Sequence, residues 1–168
     1  MKLLWDPNAN QERFEGTVLP TLLEVNREHV PDVGEIGLEQ LARFAEIARR
    51  FSWVEEEQDP VAFCIALDRD ADYDSPNFLW FRERRESFLY VDRIAVAERA
   101  TGRRFGRKLY EDLFEYARAH RFPSVTCEVN LEPRNERSLR FHETLGFVPV
   151  GEAHAKGHLV AYLERSID

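Results

Sequence analysis

The residues with the clearest chemical meaning are two glycines among basic side chains, directly after a predicted strand. Residues 101–109 read Thr-Gly-Arg-Arg-Phe-Gly-Arg-Lys-Leu and open an amphipathic pattern, so a helix is predicted to begin there. A helix start leaves about four backbone N–H groups without intrahelical partners and carries roughly half a positive charge, which suits an anion such as a pyrophosphate. Gly102 and Gly106 would allow its close approach. The alternative is that the two glycines make only a tight turn and a helix cap.

Several other motifs are excluded or disfavoured by their spacing. Residues 101–109 contain neither the Gly-Lys-Ser/Thr of a P-loop nor the G-x-G-x-x-G of a dinucleotide fold. The aspartates alternate over residues 68–74 as in a calcium loop, but Tyr73 occupies the position that requires glycine. His154 and His158 are four residues apart without a helical pattern around them. We therefore expect no metal site.

The elements that position the glycine segment follow from hydrophobic periodicity. Apolar residues at helical spacing predict helices at 18–28, 38–50, 104–120 and 135–145. Pro31 is predicted to close the first of them. Aromatic and β-branched runs predict strands at 51–55, 61–68, 88–96, 124–129, 148–151 and 159–163.

This order of elements predicts the fold class α/β, with a mixed central sheet and helices on both faces. The strand–helix–strand unit across residues 88–129 should form a right-handed parallel crossover. The length predicts a single domain over residues 1–168. The polar segment 69–86 is long for a connection, so it is predicted to be a lid or to hold a short surface helix at 78–85.

Composition narrows the class of partner. Lys and Arg total 23 against 31 Asp and Glu, a net charge of −8, which disfavours nucleic acid and anionic membranes and favours a cationic partner. Residues 1–10 lack the features of a secretory signal, and about 18 consecutive apolar residues occur nowhere, so a cytoplasmic protein is expected. Cys64 and Cys127 lie in apolar or β-branched runs and are predicted to be buried thiols.

Residues 88–152 resemble the GNAT superfamily of N-acetyltransferases. The loop of that family reads Arg/Gln-x-x-Gly-x-Gly/Ala after a strand that ends in a Leu-Ala-Val-like triplet. Residues 94–96, Ile-Ala-Val, match the triplet, and Gly106 matches the last glycine. Thr101 stands in place of the Arg or Gln, and Arg104 in place of the middle glycine.

A second match lies about 30 residues downstream. The family pattern Asn-x-x-Ala/Ser-x-x-Leu/Phe-Tyr-x-x-x-Gly-Phe corresponds to residues 135–147, with His142 in place of the Tyr. Residues 71–81, followed by residues 90–94, look like a bacterial subgroup of the superfamily. The resemblance to this subgroup does not indicate which amine is the acceptor.

The resemblance implies a mostly antiparallel sheet with one splayed parallel strand pair, 88–96 and 124–129. It also implies that acetyl-coenzyme A is the cosubstrate and that its pantetheine arm lies between these two strands. It implies main-chain contacts with the coenzyme from Ile94 and Val96. Arg104 would need a negative φ or would incur a left-handed cost of roughly 1 kcal/mol. The expected coenzyme contacts are Ile94, Ala95, Val96, Thr101, Gly102, Arg103, Arg104, Phe105, Gly106, Arg107, Asn130, Asn135, Ser138 and Phe141.

The resemblance also implies roles in catalysis. Glu128 is the first candidate for the base that deprotonates an amine, Asp92 is the second, and either could be a structural charge paired with Arg93. His142 is the candidate proton donor to the departing thiolate, or else a polar residue at a helix end. The expected substrate contacts are Tyr73, Phe78, Trp80 and Tyr90.

The reaction expected from the resemblance is direct acetyl transfer to an amine. The acidic residues 68–74 and the aromatic side chains of the segment 69–86 suggest that this amine is a small cationic acceptor or a peptide amino terminus. The alternative is a module that binds coenzyme A with little or no turnover, which the departures at Thr101, Arg104 and His142 favour. A homodimer is also possible.

Overall fold

The computed structural model describes residues 1–30 and 32–168. Pro31, which is predicted to close the first helix, lies outside the described residues. The strands are β1 Lys2–Leu4, β2 Arg50–Glu56, β3 Asp59–Asp68, β4 Leu89–Val96, β5 Ser124–Glu132, β6 Val148–Ala155 and β7 His158–Ser166. The α-helices are α1 Gln11–Arg13, α2 Leu19–Arg27, α3 Leu38–Ile47, α4 Pro76–Arg82, α5 Phe105–Ala119 and α6 Glu136–Thr144.

The seven strands follow the order β1-β2-β3-β4-β5-β7-β6. The pairs β1–β2, β2–β3, β5–β7 and β6–β7 are antiparallel. The pair β4–β5 is parallel and joins Leu89 to Val125 and Tyr90 to Thr126, near the start of both strands. The predicted fold class is therefore confirmed: a mixed, mostly antiparallel sheet with one parallel pair, accompanied by helices.

The chain divides into two compact units, and β4 and α5 each contribute residues to both. The first unit comprises Met1–Leu67 and Asp92–Leu113. Its core contains an aromatic cluster in which Phe14 packs against Phe51 and Trp53 at centroid distances of 5.6 and 5.3 Å. Glu55 is buried beside this cluster, and its carboxylate accepts hydrogen bonds from Arg13 and from the indole N–H of Trp53. The buried carboxylate is thus compensated by two donors.

The second unit comprises Asp68–Val91 and Phe114–Asp168. Helix α4 contributes Phe78 and Phe81 to its core, and both rings are fully buried. They pack against Phe88 and Tyr90 at centroid distances of 5.5–6.1 Å. The predicted lid over residues 69–86 is therefore wrong, and the alternative of a surface helix is half right. A helix is present near the expected place, but it anchors the core.

Most predicted elements are present, with shifted ends. The second predicted helix ends at Ile47 rather than at residue 50, because the backbone N–H of Arg49 already donates to the carbonyl of Ala66 on β3. Strand β1 was not predicted. It is three residues long and largely exposed, so it has too few residues to show an alternating pattern.

Candidate functional site

The segment after β4 turns sharply before α5 begins. The N–H of Ala97 donates to the carbonyl of Val61 at 2.8 Å, and a short 3₁₀ turn spans Glu98–Ala100. Gly102 then adopts φ +83° and Arg104 adopts φ +64°. Two left-handed residues therefore direct the chain into the first turn of α5, where the backbone N–H groups can face an anion.

Arg104 takes the more costly of the two conformations considered for it. A left-handed φ costs a residue with a Cβ about 1–2 kcal/mol relative to glycine. The side chain is exposed, so packing does not explain the choice of residue. The turn therefore keeps the backbone shape that a glycine would adopt and adds a positive charge beside it.

The neighbouring arginines already have acidic partners in the first unit. Arg103 forms an ion pair with Glu56, and Arg99 pairs with Asp59 at 2.7 Å. These four side chains help to line a cleft of about 540 Å³. Binding of a phosphate by the guanidinium of Arg103 would have to compete with Glu56.

One main-chain group expected to bind the coenzyme is also engaged. The carbonyl of Val96 accepts a hydrogen bond from Nε2 of His29 at 2.7 Å. Of the three residues expected to supply this part of the site, Ala95 is buried while Ile94 and Val96 are half-buried. The expected contacts of Ile94 and Val96 with the coenzyme stay predictions.

Asp92 belongs to a buried ion-pair network. Its carboxylate accepts from Nε of Arg93 at 2.8 Å, and these two side chains are 4% and 6% exposed. Arg93 also donates to Oδ1 of Asn26 at 2.9 Å and to the carbonyl of Gly34 at 3.1 Å. The guanidinium therefore connects β4 to residues at the end of α2 and after it, which favours the structural interpretation of Asp92 over its role as a base.

Glu128 on β5 is held from two sides in the second unit. Its Oε1 accepts from Nδ2 of Asn77 at 2.9 Å, and its Oε2 accepts from the hydroxyl of Tyr90 at 2.8 Å. Both oxygens of the Glu128 carboxyl group therefore act as acceptors towards neutral donors. The side chain is only half-buried. This arrangement suits a base that takes a proton from a cationic group or from a water beside it.

Tyr162 and Trp80 form a wall next to this carboxylate. The Tyr162 hydroxyl donates to Oδ1 of Asn77 at 3.1 Å, and its ring stacks on Trp80 at 4.2 Å with an interplanar angle of 19°. The Arg84 guanidinium lies 4.4 Å from the Trp80 centroid. Burial and then the charge of Glu128 raise the pKa of Tyr162, so its hydroxyl remains a donor.

Glycine is required opposite Trp80. A Cβ at Gly151 would lie 2.6 Å from Cζ2 of Trp80, which no side chain tolerates without movement. The indole is therefore seated over the backbone of β6. Trp80 is thus in contact with Tyr162 on one side and with the backbone at Gly151.

The four residues expected to contact substrate have different surroundings. Tyr90 bonds to Glu128, and Trp80 lies against Tyr162. Phe78 is fully buried, which places its ring in the core rather than against a ligand. Tyr73 is half-buried and packs against Phe78 at 5.7 Å.

The motif around α6 makes local contacts within the second unit. Asn135 caps the helix, because its Oδ1 accepts from the N–H of Ser138 at 3.0 Å. His142 is 4% exposed, its Nδ1 donates to the carbonyl of Ser138 at 2.8 Å, and its ring packs edge-on against Phe147. Phe141 is half-buried, and its ring meets that of His142 at 5.5 Å.

These contacts determine what His142 can do. Because Nδ1 carries the proton in the neutral tautomer, Nε2 is the acceptor. Burial lowers the pKa of His142, so the charged form that could donate from Nε2 is disfavoured. This geometry fits the interpretation of His142 as a polar residue at a helix end better than its interpretation as a proton donor.

Two residues of the cluster around Glu128 were not identified from the sequence. Asn77 lies 51 residues before Glu128, and Tyr162 pairs with Glu128 across the β5–β7 ladder. The only available signal was strand pairing, since an antiparallel β5–β7 pair brings Tyr162 next to Glu128.

In the described part of the chain, no group of three or more His, Cys, Asp or Glu side chains is placed to hold a metal ion. The same residues include no helix long and apolar enough to cross a membrane.

A family model identifies the family of this chain, and solved structures share its fold. A family model described as the acetyltransferase (GNAT) family matches residues 20–147. A search of curated proteins finds no sequence match. Among solved structures, the ribosomal-protein-alanine N-acetyltransferase from Brucella melitensis has a TM-score of 0.71 at 18% identity and covers 99% of each chain.

Two further structures extend this likeness. The ribosomal-protein-S18-alanine N-acetyltransferase from Escherichia coli has a TM-score of 0.69 at 14% identity, covering 99% of this chain and 93% of that one. An aminoglycoside 6'-N-acetyltransferase complexed with coenzyme A has a TM-score of 0.73 at 13% identity, covering 100% of this chain and 98% of that one. At these identities the structures establish the shared fold.

Proposed function

We propose that this chain, which belongs to the acetyltransferase (GNAT) family, transfers an acetyl group from acetyl-coenzyme A to a primary amine in a ternary complex. The single observation that carries the proposal is the Glu128 carboxyl group, whose two oxygens accept from Asn77 and Tyr90 while its side chain stays half-exposed. A carboxylate held in this way can accept a proton, and a protonated amine must lose a proton before it can attack the thioester.

The step is a direct substitution at the thioester. The amine nitrogen forms a bond to the carbonyl carbon, the carbon–sulfur bond breaks, and the coenzyme leaves as a thiolate with the electron pair. The protonated amine loses one proton to Glu128 through one water before it attacks. The second proton leaves the nitrogen for solvent as the amide forms, and the thiolate takes one proton from solvent. A covalent enzyme intermediate is disfavoured, because both cysteines are buried and burial raises the pKa of the Cys64 thiol.

The coenzyme is proposed to meet the turn and first residues of α5. The groups that would hold its pyrophosphate are the main-chain N–H groups of Gly102 and of residues 104–107, because those of Thr101 and Arg103 already donate to the carbonyls of Glu98 and Ala100. The left-handed Gly102 and Arg104 shape this turn. The guanidinium groups of this segment would add positive charge. Placement of the pantetheine arm along β4 and β5 stays a prediction from the family.

The acceptor is proposed to be a small cationic amine or a peptide amino terminus. The structural neighbours include a ribosomal-protein-alanine N-acetyltransferase and an aminoglycoside 6'-N-acetyltransferase, whose names indicate acceptors of these two kinds. The negative net charge of −8 supports a cationic acceptor. We also propose that residues 1–168 act as one domain in the cytoplasm, either alone or as a homodimer.

The second candidate function is a coenzyme-binding module with little turnover. Three observations favour it: the buried and locally bonded His142, the left-handed Arg104, and the Val96 carbonyl that already accepts from His29. Such a module would bind acetyl-coenzyme A but would not release coenzyme A in the presence of amines.

Thermal denaturation and thiol release together separate these functions. Acetyl-coenzyme A at 100 times its dissociation constant should add about 2.7 kcal/mol to the free energy of unfolding. Thiol release is then measured with a polyamine, an aminoglycoside and a peptide that begins with alanine. Binding with release supports the enzyme, binding without release supports the module, and no binding rejects both.

A glycine variant tests the coenzyme site itself. Gly106→Val places a branched side chain at the start of α5, where the phosphates are proposed to lie. We expect the stabilisation by acetyl-coenzyme A to be lost while the variant remains folded. Gly16→Ala, in a region of the first unit with no atom within 4 Å of the added Cβ, serves as the control. Full stabilisation of the Gly106→Val variant by acetyl-coenzyme A would contradict the assignment.

A further inference from the structure

Asn77 is the centre of a hydrogen-bond chain in the second unit. The side chain is 5% exposed and lies near the start of α4. Its Nδ2 donates to Oε1 of Glu128 at 2.9 Å, and its Oδ1 accepts from the hydroxyl of Tyr162 at 3.1 Å. Because a carboxylate only accepts and the amide oxygen only accepts, the orientation of this amide is determined by its two partners.

We propose that Asn77 is a positioning residue for Glu128, and that Tyr162 acts through it by fixing the orientation of the amide. The inference rests on the proposed function, in which Glu128 is the base. Glu128 receives one donor at each oxygen, from Asn77 and from Tyr90, so the rotation of its carboxylate is restrained from both sides. The half-exposed carboxylate keeps further acceptor capacity for the proton of the substrate or of a bridging water.

The chain of contacts also assigns a role to Tyr162. Its single hydroxyl proton is directed at Asn77 rather than at a ligand. Burial raises the pKa of this hydroxyl, so it stays protonated across the neutral range. Tyr162 is therefore a permanent donor that supports the amide, and not the donor to a departing thiolate.

The position of Asn77 is itself secured by the core. On the same helix, Phe78 and Phe81 are fully buried, and Trp80 stacks on Tyr162 above Gly151. Two parts of the chain that are distant in sequence, α4 and β7, are thus held together where the amide meets the hydroxyl. A helix that the sequence suggested to be a lid instead carries the support for the base.

The test is an exchange of donor and acceptor. Asn77→Asp keeps the shape of the side chain but turns the donor that faces Glu128 into a second carboxylate. Glu128→Gln combined with Asn77→Asp restores a hydrogen bond in the reverse direction, because the amide introduced at residue 128 can donate to the new carboxylate while its oxygen still accepts from Tyr90. The four proteins of this cycle are compared by thermal denaturation and by thiol release.

We expect Asn77→Asp to lower kcat about 10-fold to 100-fold, as misplacement of a catalytic group does, with little change in KM for acetyl-coenzyme A. The acid limb of its pH–rate profile should move to higher pH, because two neighbouring carboxylates retain a shared proton. Tyr162→Phe should reduce kcat by a smaller factor. A change in Tm with an unaltered profile and unaltered kcat would overturn the positioning role.

The thermal denaturation measurements still test the role of Asn77 if the chain shows no turnover. Asn77→Asp should lower Tm more at pH 8 than at pH 5, since a proton can bridge the two carboxylates at the lower pH. The double variant should recover that loss at pH 8 but remain inactive. If the wild type shows no turnover but the double variant recovers its Tm, the proposed function is rejected, while the contact between residues 77 and 128 is supported. Additive effects on Tm in the cycle would reject the inference.

Discussion

The backbone of Arg104 allows a quantitative prediction about the turn before α5. Its φ of +64° lies in the left-handed region, which costs a residue with a Cβ about 1–2 kcal/mol. Glycine avoids this cost but has more freedom in the unfolded chain, which offsets roughly 0.5–1 kcal/mol. The net advantage of glycine over alanine at residue 104 is therefore about 0.5–1 kcal/mol.

The comparison of Arg104→Gly with Arg104→Ala isolates this effect, because both substitutions remove the same side-chain charge. For a chain of 168 residues, the glycine variant should melt about 1–4 °C above the alanine variant. The assay is thermal denaturation followed by circular dichroism, without ligand.

Arg103 provides the matched control. It precedes Arg104 directly but is not among the residues with positive φ. Here the order should reverse, and Arg103→Ala should be the more stable of its pair by about 0.5–1 kcal/mol. If alanine equals or exceeds glycine in stability at residue 104, the reasoning about this turn is refuted.

Three further predictions concern packing and charge. Gly151→Ala should lower the free energy of unfolding by about 1–3 kcal/mol, because its Cβ would lie 2.6 Å from Trp80; an unchanged denaturation midpoint would contradict this. Arg93→Met should cost about 3–5 kcal/mol in urea unfolding, since it removes the charged partner of the buried Asp92. A loss under about 1 kcal/mol would mean that the network is dispensable. Burial lowers the pKa of His142, so its stabilising effect should be complete above about pH 6.5 and decrease as pH falls. The stability of His142→Phe should therefore depend less on pH than that of the wild type between pH 7.5 and 5.5, and parallel curves would count against it.

The regular elements were predictable because their cores repeat at fixed spacing. The apolar faces of α2, α3 and α5 and the β-branched runs of β3, β4 and β5 indicate their own structure locally. Helix α4 was predicted only as the alternative to a lid, because seven residues are too few for a clear helical period. In the structure its aromatic rings supply the core of the second unit.

The candidate site was predictable only where a motif is local in sequence. Glu128 and the turn at residues 101–106 follow from family patterns of fixed spacing. The support for Glu128 does not, because Asn77 and Tyr162 approach it from residues far away in the chain. The left-handed φ of Arg104 was foreseeable only as one of two possibilities, since sequence alone does not specify which backbone conformation an arginine accepts.

The most direct test of the account is the rate of coenzyme A release by the wild type and by Glu128→Gln, with the accepted amine at saturation. Glu132→Gln, an exposed position at the end of the same strand, is the control. We predict that Glu128→Gln lowers kcat about 100-fold or more and leaves the thermal stabilisation by acetyl-coenzyme A unchanged, while Glu132→Gln behaves as the wild type. Equal rates for Glu128→Gln and the wild type would contradict the central claim that this carboxylate is the base.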